Sequence, residues 1–219
     1  MDFAVFFDFD GVIADSERLH HRAYGLVLDP LGLGFSWDTY RTGYIGYDDR
    51  DVFRLVHGRA GRDLTPEGVR DLVARKAERF AELVKTEPPP LYPGVRGLLD
   101  GLRPRARLAL CTGALHSDVD PILRSAGIES RFDTVVTAED VPASKPDPAC
   151  YRLARERLGG GPGVAVEDTP AGIESANGAG LRVLAVTTTH DRAQLAAADR
   201  VVGSLEEIDA AALEALVRP

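Results

Sequence analysis

Residues 3–11 read Phe3-Ala4-Val5-Phe6-Phe7-Asp8-Phe9-Asp10-Gly11, five apolar residues that end on two aspartates and a glycine. An unbroken apolar run of this length fits a strand buried in a parallel sheet. Side chains two apart on a strand share a face about 6.6 Å apart, so Asp8 and Asp10 compete for one small space and repel unless a cation lies between them. A hard divalent cation such as Mg²⁺ takes carboxylate and carbonyl oxygens and keeps positions for water and phosphate. The stretch therefore points to phosphate chemistry at the carboxyl end of a first strand.

Outward from this strand, the chain from Val95 onward alternates short apolar runs with amphipathic segments. The runs are Leu108 to Cys111, Thr134 to Val136, Val164 to Val166, Val183 to Val186 and Val201 to Val202. Helices are predicted over 94–102, 116–126, 148–158, 170–179, 192–197 and 206–217. Short apolar runs separated by helices predict an α/β fold, a parallel sheet covered on both faces. Residues 16–87 break the alternation, with helices predicted over 16–28, 37–44, 49–57 and 66–85. They read as a helical insertion after the first strand, leaving 1–15 and 88–219 as the sheet domain. Pro88-Pro89-Pro90-Leu91-Tyr92-Pro93-Gly94 forms a stiff far boundary.

Composition narrows the function. Lys plus Arg is 26 against 34 Asp plus Glu, a net charge of -8, which gives no electrostatic footprint for nucleic acid or an anionic membrane. The insertion carries 12 acidic and 12 basic residues, leaving 22 and 14 elsewhere, so the excess of acid lies in the sheet domain. No apolar stretch reaches the roughly 18 residues of a membrane helix, and a cytoplasmic enzyme is the expectation. Cys111 and Cys150 are the two cysteines, too few for a disulfide framework or zinc site. Lysine stands at only three positions, Lys76, Lys85 and Lys145, where a compact ammonium differs in chemistry from the planar arginine fork. No sustained heptad or large apolar face stands out, so a monomer is expected.

Open parallel sheets bind ligands beyond the carboxyl ends of their strands, and the predicted strand ends here are polar. The first carries Asp8 and Asp10; Leu108 to Cys111 runs into Thr112-Gly113; the loop after the third carries Ser144-Lys145-Pro146; Val164 to Val166 runs into Glu167-Asp168-Thr169-Pro170. Each alone has an ordinary reading as a turn or helix start, and Thr169 with Pro170 is good capping chemistry. Their coincidence at one crevice is what points to catalysis. Mg²⁺ held by Asp8, Asp168 and the Asp10 carbonyl, with Lys145 beside it, would neutralise a phosphate enough for the Asp8 carboxylate to attack it. Asp10 is placed to move protons, Thr112 to hold a nonbridging oxygen, and Glu167 to orient the metal shell.

These residues resemble the haloacid dehalogenase superfamily of phosphotransferases, whose four motifs match in order: Asp8-Phe9-Asp10-Gly11-Val12, Thr112, Lys145-Pro146 and Glu167-Asp168-Thr169. The resemblance implies a Rossmann-like core, a helical cap between the first and second motifs, Mg²⁺, Asp8 as nucleophile and Asp10 as acid/base. True haloacid dehalogenases lack the second aspartate, so Asp10 argues for phosphate. Asp8 to His20 and Val164 to Gly180 are similar to the subgroup of beta-phosphoglucomutase and small sugar-phosphate phosphatases. That implies a phosphatase for a small phosphorylated metabolite, a sugar phosphate, with a phosphosugar mutase as the alternative. A phospho-accepting receiver or silent binding module is the non-enzyme alternative, and a receiver would carry its acceptor on a middle strand without a 70-residue insertion.

The resemblance also marks substrate-binding candidates. His20 matches a mutase position associated with the acid/base. Lys76 interrupts the apolar stripe Val69, Val73, Phe80, Leu83, and either snorkels along it or points to the cleft. The segment Tyr44-Ile45-Gly46-Tyr47-Asp48-Asp49-Arg50 lies where a specificity loop is expected, and Arg50 either binds a second phosphate or pairs with its aspartate neighbours. Gly113 offers an amide. His116 replaces an asparagine that contacts phosphate in the mutase, a departure from mutase geometry.

Overall fold

The computed structural model describes residues 3–217. Its strands are β1 (Phe3–Phe7), β2 (Ala106–Cys111), β3 (Thr134–Val136), β4 (Gly163–Glu167), β5 (Arg182–Val186) and β6 (Arg200–Val202). They form one sheet in the order β3-β2-β1-β4-β5-β6, every neighbouring pair parallel. This is a Rossmann-like α/β fold. Strand order reverses at β1, which pairs with β2 on one side and β4 on the other, so the crevice for ligands opens beyond Phe7.

The alternation of β1 explains its composition. Phe3, Val5 and Phe7 enter one apolar core with Leu98, Val119 and Leu213, while Ala4 and Phe6 point to the other with Tyr151 and Ile173. A strand with both faces covered must be apolar throughout, and all five of its residues are buried. The covering helices are α5 (Val95–Leu102), α6 (His116–Ala126), α7 (Ala149–Arg157), α8 (Pro170–Gly178) and α9 (Ala210–Val217). Thr169 caps α8 by accepting from the Gly172 amide at 3.0 Å, with Pro170 at its first position, as the capping pattern predicts.

Between β1 and α5 lie α1 (Glu17–Leu28), α2 (Trp37–Gly43), α3 (Asp49–Arg59) and α4 (Pro66–Thr86). They add no strand. An apolar cluster of their own joins Tyr24, Leu28, Tyr40, Phe53, Val56 and Leu72. The two chain crossings flanking these helices hold each other: the Asp15 amide donates to the Pro90 carbonyl at 3.0 Å and the Tyr92 amide to the Ile13 carbonyl at 3.0 Å.

Two expected helices differ. Residues 192–197 form successive turns. Asp191 and Gln194 exchange side-chain-to-backbone bonds, 3.0 Å and 3.2 Å, and Leu195 is buried, so this short connection is pinned before a helix can propagate. Residues 206–217 divide into a 3-10 turn, Leu205–Glu207, and α9. Ser204 and Glu207 close a capping box on the first, and Asp209 starts the second afresh by accepting from the Ala212 amide at 2.8 Å.

Candidate active site

The β1, β2 and β4 ends converge. Asp8, Glu167 and Asp168 bring one carboxylate oxygen each to within 4.8 Å of one another, all three buried. Lys145 Nζ donates to Asp8 Oδ1 at 2.6 Å, to Glu167 Oε1 at 2.6 Å and to the Cys111 carbonyl at 3.0 Å. Tyr151 donates to the same Glu167 oxygen at 2.6 Å. Were all three carboxylates ionised against one ammonium, a net charge of -2 would be buried, and Asp8 and Asp168 respond by holding their protons more tightly. Burial, opposed by Lys145 and reinforced by Glu167, pushes Asp8 up to about 8. Burial, with Asp8 and Glu167 adding to it, holds Asp168 far above the carboxylate range. Burial works against the Lys145 ammonium, but Asp8 and Glu167 overrule it and hold the proton on.

The donor set fits a hard divalent cation. Asp168 Oδ1 is buried without a hydrogen-bond partner, an orphaned oxygen beside the other two carboxylates, whereas its Oδ2 accepts from Thr189. Gly11, at φ +80°, leaves the room this requires, since a Cβ there would collide with Asp168 Oδ2.

Asp10 is handled differently from Asp8. Its Oδ1 accepts from the Ser16 hydroxyl and lies 3.2 Å from His20 Nε2. Burial opposes its charge, but His20 and Ser16 win and hold its pKa below the ordinary value. His20 Nδ1 in turn lies 2.8 Å from Lys76 Nζ. An ammonium has donors only, so a bond at that distance makes His20 Nδ1 the acceptor and puts the imidazole proton on Nε2, aimed at Asp10. Burial and the Lys76 charge work against an imidazolium, while Asp10 and Asp118 outweigh them and raise the His20 pKa; the Lys76 contact, where it is made, requires a lone pair on Nδ1. Burial disfavours that ammonium, while Asp118 and Asp49 outweigh it and raise its pKa.

A pocket opens from Asp8 and Asp10 toward the inserted helices. Among expected residues, Thr112, Gly113, Lys145, His20 and Gly46 line it with the two aspartates. Gly46, at φ +88°, brings its loop against Thr169, where a Cβ would lie 3.4 Å from the threonine methyl. Three expected substrate contacts lie elsewhere. Lys76 is wholly buried and bonds His20, Asp49 at 3.0 Å and Asp118 at 3.3 Å, so it neither snorkels nor reaches the pocket. Arg50 is bound to Asp48 Oδ2 by Nε at 2.8 Å and Nη2 at 2.5 Å and to Ser144 at 3.1 Å, the pairing of neighbours rather than a free guanidinium. His116 is 45% exposed and stands 3.6 Å from Asp120 and Asp140, outside the pocket lining.

The expected specificity segment also contributes Tyr47, Asp48 and Asp49 to the pocket, which holds in addition three residues that the sequence did not mark: Glu17, Tyr24 and Tyr40. One signal was present. Glu17, His20 and Tyr24 recur at steps of three and four along α1 and so share a face.

Known proteins decide the family. The haloacid dehalogenase-like hydrolase profile matches residues 4–180. The chain belongs to this family. A phosphorylated carbohydrates phosphatase of Thermotoga maritima is 33% identical over 182 residues, 81% of this chain and 82% of that protein. The structure of CbbY from Rhodobacter sphaeroides in complex with phosphate is 30% identical, with a TM-score of 0.89 over 98% of this chain and all of that one. A CbbY variant in complex with xylulose-(1,5)bisphosphate superposes with a TM-score of 0.88 at 30% identity, over 97% and 99%. For this hydrolase, then, family, fold and strand-end motifs agree.

Proposed function

We propose that this hydrolase is a Mg²⁺-dependent phosphatase for a phosphorylated sugar, acting through a phospho-Asp8 intermediate. The observation that carries the reading is the triad of buried carboxylates, Asp8, Glu167 and Asp168, with the single Lys145 ammonium among them. Asp8, Asp168, Glu167 and the Asp10 carbonyl would hold the ion. Bound there, Mg²⁺ supplies the positive charge that draws a phosphate dianion to the site and returns Asp8 to its anionic form. The relatives include a named carbohydrate-phosphate phosphatase and a protein crystallised with phosphate.

The chain's residues divide the work. Lys145 holds the Asp8 carboxylate by one oxygen, leaving the other to attack phosphorus. Thr112, buried at the end of β2, and the Gly113 amide hold nonbridging oxygens of the transferring group. Asp10, held ionised by Ser16 and His20, is in the form that accepts a proton from water when phospho-Asp8 is hydrolysed. To protonate the leaving alkoxide first, it must bind a proton as substrate enters, and the approaching phosphate charge raises its pKa in that direction. Residues 16–87 act as a cap over residues 1–15 and 88–219, and His20 and Gly46 bring the cap's side of the pocket to the reacting group.

A panel of phosphorylated sugars with Mg²⁺, scored for released phosphate and for isomerised sugar phosphate, tests the reading. Metal-dependent release supports it. Isomerisation that needs a bisphosphate primer would make the protein a mutase.

A further inference from the structure

The phosphate end of the pocket has its cation in Lys145. On the side of the inserted helices the polar groups are the Glu17 and Asp49 carboxylates and the hydroxyls of Tyr24 and Tyr40, with the exposed Tyr47 beside them. Tyr40 donates to Glu17 at 2.5 Å and Tyr24 to Asp49 at 2.6 Å. Among the described residues that line the pocket, Lys145 is the sole lysine or arginine, and it is committed to Asp8 and Glu167. The two nearby cap cations are spent as well. Lys76 is buried behind the lining against Asp49, Asp118 and His20, and Arg50 is forked onto Asp48 and tied to Ser144.

A second phosphate placed there would find the nearby lysines and arginines already paired with carboxylates, and an anion buried without a cation of its own is costly. Hydroxyl groups meet the opposite situation, since carboxylates and tyrosyl oxygens accept hydrogen bonds from them and an ionised acceptor strengthens each bond. The net charge does not call for an ammonium ligand either, because Asp49 and Asp48 already have their cations.

Resting on the phosphatase reading, we infer that the substrate is a monophosphate ester whose far end is polyhydroxylated and uncharged, read by Glu17, Asp49, Tyr24 and Tyr40, and that sugar bisphosphates are excluded. The exclusion extends to the bisphosphate primer of a mutase, and it separates this chain from the relative crystallised with xylulose bisphosphate. Tyr47, 54% exposed, offers the ring surface against which the C–H face of a sugar packs at the mouth.

The test measures phosphate release with Mg²⁺ from matched pairs, xylulose 5-phosphate against xylulose 1,5-bisphosphate and glucose 6-phosphate against glucose 1,6-bisphosphate, with p-nitrophenyl phosphate alongside. The monophosphate of at least one pair is expected to exceed its bisphosphate at least tenfold in kcat/KM and to exceed the aryl phosphate. Glu17→Gln is then expected to lower the ratio of sugar to aryl kcat/KM at least tenfold, with folding checked by thermal melting. Should Glu17→Gln fail to fold, Tyr40→Phe, which removes the bond that positions Glu17, is read for the same ratio. A bisphosphate hydrolysed as well as its monophosphate, or an Arg50→Ala variant that loses bisphosphate turnover selectively, overturns the inference. Turnover of the aryl phosphate with no preference for either sugar monophosphate also overturns it but leaves the phosphatase reading standing. No release from any compound overturns both.

Discussion

Replacing Lys76 by methionine removes the one cation buried between Asp49, Asp118 and His20 while keeping the length and apolar bulk of the side chain. The ammonium is 0% exposed, and the carboxylates around it are only half satisfied: Asp49 Oδ2 and Asp118 Oδ1 have no hydrogen-bond partner. Removing one member of a buried ion pair costs about 3–5 kcal/mol because the partner charge is left uncompensated. For a chain of this length that corresponds to a fall in Tm of roughly 6–20 °C, at about 2–4 °C per kcal/mol. Urea denaturation monitored by circular dichroism measures it directly, as a lower midpoint at unchanged slope. The penalty should be larger at pH 8 than at pH 5.5, since an unpaired buried carboxylate escapes part of the cost by protonating. Asp118→Asn carries the sharper prediction: it destabilises the wild type but stabilises the Lys76→Met protein, where it removes a stranded charge. A Lys76→Met cost below about 1 kcal/mol, or an Asp118→Asn effect of the same sign in both backgrounds, would refute the buried network.

Three further perturbations probe other parts of the site. Burial, with the Asp10 charge adding to it, raises Glu17 from the ordinary 4.5 to about 7. A raised folded-state pKa gives stability that is complete below the unfolded value and is lost as pH rises through the folded one. Wild type should therefore lose on the order of 2–3 kcal/mol more than Glu17→Gln between pH 4.5 and 7.5, read by denaturant titration; parallel curves would show that Glu17 ionises freely. Gly11→Ala places a methyl against Asp168 Oδ2 at a backbone angle of +80° and should raise the Mg²⁺ concentration for half-maximal activity at least tenfold. An unchanged Mg²⁺ titration would remove Asp168 from the ion's ligands. Asp10→Asn should slow both formation and hydrolysis of the phosphoenzyme by about 10²–10⁴-fold, the usual worth of a general acid or base, and stopped-flow rates equal to wild type across pH would take that role from Asp10.

The parts of this protein legible in the sequence were those with a local cause. β1 could be read because a strand buried on both faces has to be apolar at all five positions, and Asp8, Thr112, Lys145 and Glu167 because the topology gathers strand ends in one crevice. Thr169 was readable as a cap for the same local reason. What the sequence concealed depended on partners far along the chain. Lys76 interrupts an apolar stripe, but whether such a lysine meets solvent, substrate or acids is decided by Asp49 on α3 and Asp118 on α6. Arg50 was open to a second phosphate or to its aspartate neighbours, and Ser144, 94 residues away, holds it together with Asp48. The turns at 192–197 depend on burial of Leu195 under the sheet, which the alanine-rich composition there does not reveal.

The proposed reaction rests on the inequality of Asp8 and Asp10, in which Asp8 would take the phosphoryl group and Asp10 would move the proton. Acid quench during turnover, followed by peptide mapping, tests it most directly. A single acid-stable, base-labile phosphoryl group on the peptide containing Asp8, absent from Asp8→Asn protein that has also lost turnover, is the predicted result. Turnover without any phosphorylated chain, or Asp8→Asn protein that still hydrolyses substrate at the wild-type rate, would contradict it.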